Sequence, residues 1–275
     1  MTYSIIKNLD EKFLRYISKL KPELYCLFSN IRQIIICRPF TNFYYSKKLE
    51  LYFAKEKNHL IYFFSKYRQI RLYSRSIKNR LYTLSSDYFI NFIKFKKGDY
   101  VVDCGANIGE LYLAIKINCN YNINYIAFEP SPKEFKCLSI NAPNQKYLQM
   151  ALSNKYEEKK FYISSEEADN SLIKPKYFSN TIKITTDRLD NIIKNKFIKL
   201  LKIDAEGAEL EVLQGCENIL NNIQYISVDC GPEKGLNAEP TFKEVLPFLI
   251  KKGFIVENIS QKRYTILFFN PNFKK

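Results

Sequence analysis

The chain has no tryptophan, a single histidine (His59), two methionines and only eight glycines in 275 residues. One histidine cannot build a His-rich metal centre, and any histidine-dependent mechanism would fall on His59 alone. The seven cysteines, Cys26, Cys37, Cys104, Cys119, Cys137, Cys216 and Cys230, form no C-x-x-C pair, and their number is odd. That spacing argues against a zinc cluster or a disulfide framework and reads as small buried hydrophobes in a reducing compartment. No apolar run approaches the ~20 residues needed to span a bilayer. The first residues carry Asp10 and Glu11 and lack an apolar signal core, so the expectation is a cytoplasmic protein without a secretory leader. With 46% hydrophobic and 26% charged residues, the composition is that of a soluble globular protein, which excludes collagen-like and disordered readings. The length accommodates one large domain, or a domain with an extension.

Acidic residues are scarce at the start. Residues 1–98 hold 20 Lys and Arg against 6 Asp and Glu, whereas residues 99–275 hold 23 against 22. Seven of the nine arginines and 21 of the 42 Phe and Tyr also lie in the first part. The chain therefore divides into a basic, aromatic-rich N-terminal extension, residues 1–97, and a nearly neutral domain, residues 98–275. Three readings of the basic third compete: a solvated lysine-rich face, a surface for anionic lipid headgroups or a lipid-linked acidic glycan, and a nucleic-acid footprint. The apolar spacing from Ile5 to Leu20, with Lys7, Lys12, Arg15 and Lys19 off the stripe, motivates the second, a peripheral contact with an anionic membrane.

Helical spacing runs from Ile5 to Leu20, Pro22 interrupts it, and a second helix is predicted from about Glu23 to Cys37, ahead of Pro39. Residues 59–74 are rich in aromatic and β-branched types and predict two short strands. Another helix is expected over about Lys78–Ile93, so the extension is mainly helical. After Gly98, short apolar strands alternate with helices. The predicted strands are Tyr100–Asp103, Ile123–Glu129, Lys146–Leu152, Lys199–Asp204 and Gln224–Asp229. Helices are expected after Gly109, from Pro132, over Ala208–Cys216 and over Glu239–Lys252. Such alternation predicts an α/β domain with a mostly parallel sheet. Phe254–Asn258 and Tyr264–Phe269, joined by Ser260-Gln261-Lys262, read as an antiparallel pair.

Ligands of open α/β sheets bind beyond the carboxyl ends of the strands. The first strand ends in Asp103-Cys104-Gly105-Ala106-Asn107-Ile108-Gly109. Gly105 permits a tight turn and close backbone approach, and Gly109 lets a helix pack near the strand. Asn107 stands where a dinucleotide fingerprint needs its second glycine, and Asp103 suits a cationic ligand better than a pyrophosphate, so an NAD-dependent dehydrogenase is disfavoured. The second strand ends in Glu129, 24 positions beyond Gly105, close to the spacing at which a carboxylate accepts hydrogen bonds from ribose hydroxyls. Strand, glycine turn, helix and a second strand ending in Glu together describe a nucleoside site. A third acidic tip follows at Asp204-Ala205-Glu206-Gly207-Ala208-Glu209, where Glu206 and Glu209 can equally serve as helix caps. A fourth lies at Asp229-Cys230-Gly231. Asp204 and Asp229 on neighbouring tips can hold a metal ion, bind a substrate hydroxyl or orient a base.

At these residues the sequence resembles the FkbM family of S-adenosylmethionine-dependent methyltransferases. The stretches that carry the resemblance are VVDCGANIGE (101–110), AFEPSP (127–132), ALSN (151–154), KIDAEGAELEVLQG (202–215) and ISVDCGPEKG (226–235), with GF at 253–254 and YTILFFN at 264–270. The resemblance implies a class I methyltransferase, Rossmann-like fold: a seven-stranded, mostly parallel sheet whose last strand is antiparallel. It further implies a cofactor loop of Asp103, Gly105, Asn107 and Gly109, ribose hydroxyls on Glu129, adenine beside Ala151, and Asp204 near the transferred methyl.

The expected function is SAM-dependent O-methylation of a hydroxyl, on a sugar of a surface polysaccharide or glycolipid or on a small-molecule acceptor. Asp204 is the expected base or orienting group, with Asp229 or Glu209 as substitutes, and the metal requirement stays open. An RNA 2′-O-methyltransferase is one alternative. The fourth strand end lacks the N/D-P-P-Y motif of amino-directed enzymes, and no Pro-Cys nucleophile exists, which weighs against nucleic acid as partner. A non-catalytic SAM-binding scaffold in glycan assembly is the other.

Overall fold

The computed structural model describes residues 2–36, 41–119, 121–164, 170–260 and 263–273. Cys37, Pro39, Gln261 and Lys262, which bear on the sequence-based expectations, lie outside the described residues. The chain divides into two compact units, Met1–Tyr82 and Thr83–Lys275.

The first unit opens with helices α1 (Thr2–Ile17) and α2 (Pro22–Ile35). Pro22 starts α2, where its fixed φ and missing N–H cost nothing. A three-stranded antiparallel sheet follows: β1 (Asn42–Ser46), β2 (Leu51–Glu56) and β3 (His59–Phe63). Its register sets Tyr44, Phe53 and Tyr62 in one cross-strand row and Tyr45, Tyr52 and Phe63 in another. Neighbouring rings in these rows lie 5.0–5.9 Å apart, so aromatic pairing across strands holds the sheet. The mainly helical expectation thus missed β1 and β2. The second strand expected within residues 59–74 is instead helix α3 (Tyr67–Tyr73). Buried Ile70 and Tyr73 are spaced i, i+3, and the helix-forming Arg68, Gln69 and Arg71 around them outweigh the local β-propensity. Helix α4 (Ile77–Asp87) begins in this unit, its first amide held by the Glu56 carboxylate through Ile77 N.

The second unit begins ahead of the 97/98 boundary expected from composition. Tyr88, Phe89, Ile90, Ile93 and Phe95 are buried, and Asn118 Nδ2 donates to Ser85 Oγ at 2.8 Å, so this stretch packs with the domain that follows. That domain runs through β4 (Tyr100–Cys104), α5 (Glu110–Asn118), β5 (Asn124–Phe128), α6 (Pro132–Asn141) and β6 (Lys146–Leu148). An insertion, β7 (Ala151–Leu152), β8 (Glu157–Ile163) and β9 (Asn180–Asp187), forms a separate three-stranded sheet in the order β7-β9-β8. The single strand expected over 146–152 is therefore two strands in different sheets. The chain continues as α7 (Leu189–Ile192), β10 (Ile198–Ile203), α8 (Glu209–Gln214), β11 (Ile223–Asp229), the short pair β12 (Pro232–Lys234) and β13 (Glu239–Pro240), α9 (Phe242–Lys251), β14 (Ile255–Ile259) and β15 (Thr265–Phe269).

The main sheet has the order β14-β15-β11-β10-β4-β5-β6, and β15 alone runs against its neighbours. This is the class I methyltransferase-like, seven-stranded arrangement that the resemblance implies. Val101, Val102, Leu200, Leu201 and Ile203 are fully buried, because helices cover both faces of a parallel sheet and its central strands read as continuous apolar runs. The strand order reverses between β4 and β10, so their carboxyl ends flank the crevice.

Gly105 (φ 72°) leaves β4 so close to β10 that an added Cβ would stand 1.9 Å from the Asp204 carbonyl oxygen. Gly105→Ala is expected to destabilise the protein by roughly 2–4 kcal/mol through backbone strain and clash, read as a lowered thermal midpoint.

Candidate active site

Parallel registry brings the site together. Asp103 on β4 lies opposite Lys202 on β10, and Cys104 opposite Ile203, so Gly105 and Asp204 leave the sheet at one level. The Asp204 amide donates to the Cys104 carbonyl at 3.2 Å. Asn107 takes a left-handed φ of 49°, which asparagine tolerates better than most residues. Gly109, at φ 88°, passes helix α6 so closely that a Cβ would meet Leu138 Cδ1 at 3.1 Å.

Beyond these strand ends opens a cleft of about 660 Å³ when the open solvent at its mouth is counted in. Gly105, Asn107, Glu129, Ala151 and Asp204 line it, with Phe128 and Glu206. The insertion adds Phe161, Asn170 and Leu172. Of the other expected site residues, Asp103, Gly109, Asp229 and Glu209 do not line this cleft.

Glu129 is buried. Its Oε2 accepts from the Asn107 amide and its Oε1 from the Ser131 amide, both at 2.8 Å. Burial, and then the nearby Glu134, still push its carboxyl up to about 8. Asp103 is buried as well, accepts a hydrogen bond from Tyr125 Oη, and faces Lys202 Nζ at 3.1 Å. It braces the loop from behind.

Lys202 is not among the residues that sequence reasoning singles out. Its buried ammonium donates to the carbonyls of Cys104 (3.2 Å) and Gly105 (2.7 Å) and lies 3.8 Å from Asp204 Oδ2. Burial alone would lower its pKa, but Asp103 and Asp204 raise it above the ordinary ammonium value. Tyr88 is missed in the same way. Its hydroxyl donates to Asp204 Oδ2, and burial together with the Asp204 charge keeps the phenol protonated. Lys202 Nζ and the Arg263 guanidinium both lie over the Tyr88 ring, at 5.2 and 5.7 Å from its centroid.

Asp229 is buried, accepts from the Gly231 amide at 3.2 Å through Oδ1, and is paired with Arg263 through Oδ2. That ion pair occupies the carboxylate expected to serve as a substitute base or a metal ligand. Glu209 is the loop cap that its position allows: Oε1 accepts from the amides of Ala205 (3.0 Å) and Gly207 (3.1 Å). Burial pushes its carboxyl up to about 7. The carboxylates that do gather are Asp204, Glu206 and Glu233, with one oxygen of each within 4.8 Å of the others. Burial, and then Asp204 and Asp229, push Glu233 up to about 8. Such a cluster suits a cation and disfavours a phosphate.

Residues 103–256 match the family model of the methyltransferase FkbM domain. The chain belongs to the FkbM methyltransferase family. Membership implies S-adenosylmethionine as methyl donor. The hexuronic acid methyltransferase AglP of Haloferax volcanii is 32% identical over 139 residues, covering 49% of this chain and 56% of the relative. The methyltransferase sdnD of Sordaria araneosa is 27% identical over 171 aligned positions, covering 48% of this chain and 66% of the relative. The aligned part thus spans about half to two thirds of these curated relatives. Among solved structures, the FkbM methyltransferase of Methylobacillus flagellatus superposes with a TM-score of 0.48 at 14% identity, covering 74% of this chain and 53% of that one.

The motif glycines and Glu129 are readable from spacing, whereas Lys202 within the FkbM domain, and Tyr88 and Arg263 outside its matched residues, are not. The position of Lys202 directly before the Ile203-Asp204 strand end is the available signal: a lysine amid Leu200, Leu201 and Ile203 has to be paired.

The buried charges can be tested in two ways. Lys202→Met leaves Asp103 buried without its cation and is expected to cost about 3–5 kcal/mol in urea unfolding. The second test concerns pH. Glu129, Glu209 and Glu233 ionise near 4.5 when unfolded and hold their protons to about 7–8 when folded. Between those values the folded chain binds more protons, so stability falls as pH rises from about 4.5 to about 8, by up to ~1.4 kcal/mol per pH unit per group. Urea midpoints between pH 5 and 8 should show this decline, and Glu129→Gln should flatten it. An unaltered slope in that variant would mean that Glu129 is already ionised in the folded chain.

Proposed function

We propose that the protein is a SAM-dependent O-methyltransferase acting on a sugar hydroxyl of a surface polysaccharide or glycolipid. The observation that carries this reading is Asp204 on the wall of the same cleft as buried Glu129. The acidic cluster of Asp204, Glu206 and Glu233 also fits a cationic sulfonium, and Gly105 has no room for a Cβ beside the Asp204 carbonyl. The relative named for hexuronic acid supports a sugar acceptor.

When bound, S-adenosylmethionine supplies an electrophilic methyl on a positively charged sulfur. In this reading Glu129 would accept hydrogen bonds from the ribose hydroxyls, the Gly105–Asn107 loop would hold the amino-acid end, and Ala151 would flank adenine, all four residues lining the cleft. Asp204 is held at Oδ2 by the Tyr88 hydroxyl, which leaves Oδ1 for the acceptor. Asp204 would take the proton of the acceptor hydroxyl as that oxygen receives the methyl group, the donor leaving as a neutral thioether. General-base assistance of this kind contributes typically 10²–10⁴-fold, and holding the acceptor in line supplies much of the remainder.

Asp204→Asn is accordingly expected to lower kcat by about 10²–10⁴-fold, with cofactor affinity in calorimetry weakened far less, by the loss of one charge from the acidic cluster. Lost affinity at normal turnover would make Asp204 a binding residue instead. With labelled methyl donor and uronic-acid or neutral oligosaccharides as acceptors, the product should be an alkali-stable methyl ether. An alkali-labile product would be a methyl ester and would overturn the hydroxyl assignment.

A further inference from the structure

The second helix of the first unit is built inside out. Its outward face carries Leu24, Leu27, Phe28, Ile31, Ile34 and Ile35, spaced i, i+3, i+4, i+7, i+10 and i+11, with exposures of 38–74%. Its inward face carries Tyr25, Cys26, Ser29, Arg32 and Gln33, all buried. A surface helix ordinarily turns its apolar stripe to the core and its polar face to water.

The orientation is locked by specific bonds. Arg32 forms a two-point pair with the Asp10 carboxylate. Gln33 Nε2 donates to the Ser74 carbonyl at 2.6 Å, and Tyr25 Oη to the Lys66 carbonyl at 3.1 Å. Asn30 exchanges two bonds with the backbone of Phe43, at 2.7 and 2.9 Å. Rolling the helix to hide its leucines would break all of these. A six-residue aliphatic and aromatic stripe left in water is the mark of a face that something covers.

Charge identifies the occupant. Residues 1–82 hold 17 Lys and Arg against 5 Asp and Glu. On α1, Lys12, Arg15, Tyr16 and Lys19 beyond its end form the exposed side, while Leu14 and Ile17 are buried. A second copy seated on α2 would set two such cationic units together, which like-charge repulsion opposes. An anionic bilayer offers apolar depth for the stripe and negative headgroups for the cations at once. At 14 residues α2 is about 21 Å long, and among the described residues no helix is long and apolar enough to cross a membrane.

We propose that α2 docks the protein on an anionic phospholipid surface, lying in the membrane plane with Leu27, Ile31 and Ile34 inserted at the headgroup boundary. The cations of the α1 segment supply the electrostatic share of that contact. The sequence alone places both functions on the segment from Ile5 to Leu20; the structure adds the exposed apolar stripe of α2 to it. This inference does not depend on the methyl-transfer chemistry.

The absence of tryptophan from the chain makes the test direct. In full-length protein, Ile34→Trp introduces one reporter, whose emission should shift to the blue with phosphatidylglycerol–phosphatidylcholine vesicles and be quenched by brominated acyl chains. Pure phosphatidylcholine should give little change. In co-sedimentation, the Leu27→Gln/Ile31→Gln/Ile34→Gln variant should bind anionic vesicles at least tenfold more weakly. Lys12→Gln/Lys19→Gln should weaken binding severalfold and reduce its salt dependence. Circular dichroism melts verify that the folds are intact, and single Ile34→Gln, at a severalfold loss, replaces the triple variant if that one does not fold. Equal vesicle binding by wild type and a folded α2 variant, or no blue shift of the introduced tryptophan, would overturn the proposal. A wild-type dimer that these changes convert to monomer, without vesicle binding by either, would assign the face to a second copy and likewise overturn it.

Discussion

One buried ammonium organises the active-site end of the sheet. Lys202 Nζ reaches the Asp103 carboxylate, the carbonyls of Cys104 and Gly105, and Asp204 beyond them. Each of those groups belongs to the point where β4 and β10 end side by side. An unpaired charge at this depth would be prohibitively costly, and the pairing is possible only because the parallel register sets residue 202 opposite residue 103. The same register brings the backbone of Gly105 against that of Asp204, which is why a side chain cannot be accommodated there. The loop beside Glu129 and the tip bearing Asp204 are therefore positioned by a single electrostatic knot.

The carboxylates near that knot differ in their neighbours, although burial raises the Asp229 carboxyl too, even beside Arg263. Asp103 lies against Lys202, and Asp229 against Arg263. Glu129, Glu209 and Glu233 are buried or half-buried but have mainly backbone amides or other carboxylates as neighbours, and desolvation moves their carboxyls up to about 7–8. Acids held apart in this way are what a site needs when it must present hydrogen-bonding carboxyls and a cation-attracting cluster within one cleft. Tyr88 joins the two cations: its hydroxyl holds Asp204 while its ring lies beneath Lys202 and Arg263.

How much of this is readable from sequence follows from where each signal resides. The core strands of the main sheet are readable because parallel strands buried on both faces leave short apolar runs, and the turn at Gly105–Gly109 because its glycines have a steric purpose. Glu129 is readable by spacing. Tyr88 is not, because it stands 116 positions from its partner Asp204 in a stretch whose basic composition assigns it to the extension. Arg263 is hidden for the same reason, 34 positions from Asp229. The insertion strands escape because β8 opens on the charged block Glu157–Lys160 and β9 alternates Thr and Lys with Ile as a half-exposed strand does, a weaker signal than a buried run. Glu209 suits a cap and a catalytic group equally well in sequence, and only the loop amides pointing at Oε1 separate the two.

Helix α2 marks a different limit. Periodicity establishes that it has an apolar face, and the ordinary inference from such a face is burial in the chain's own core. Which way a helix turns, however, depends on both faces competing for the interior. Here the competing face carries Arg32, Gln33 and Tyr25, whose partners Asp10, Ser74 and Lys66 come from three separate segments. Those bonds hold the polar side inward, where breaking them would leave buried donors unsatisfied. The apolar side is thereby left outward on a unit whose sequence holds a surplus of cations, and that combination of exposed aliphatic area with positive charge is the chemistry an anionic bilayer complements and a like-charged protein surface does not.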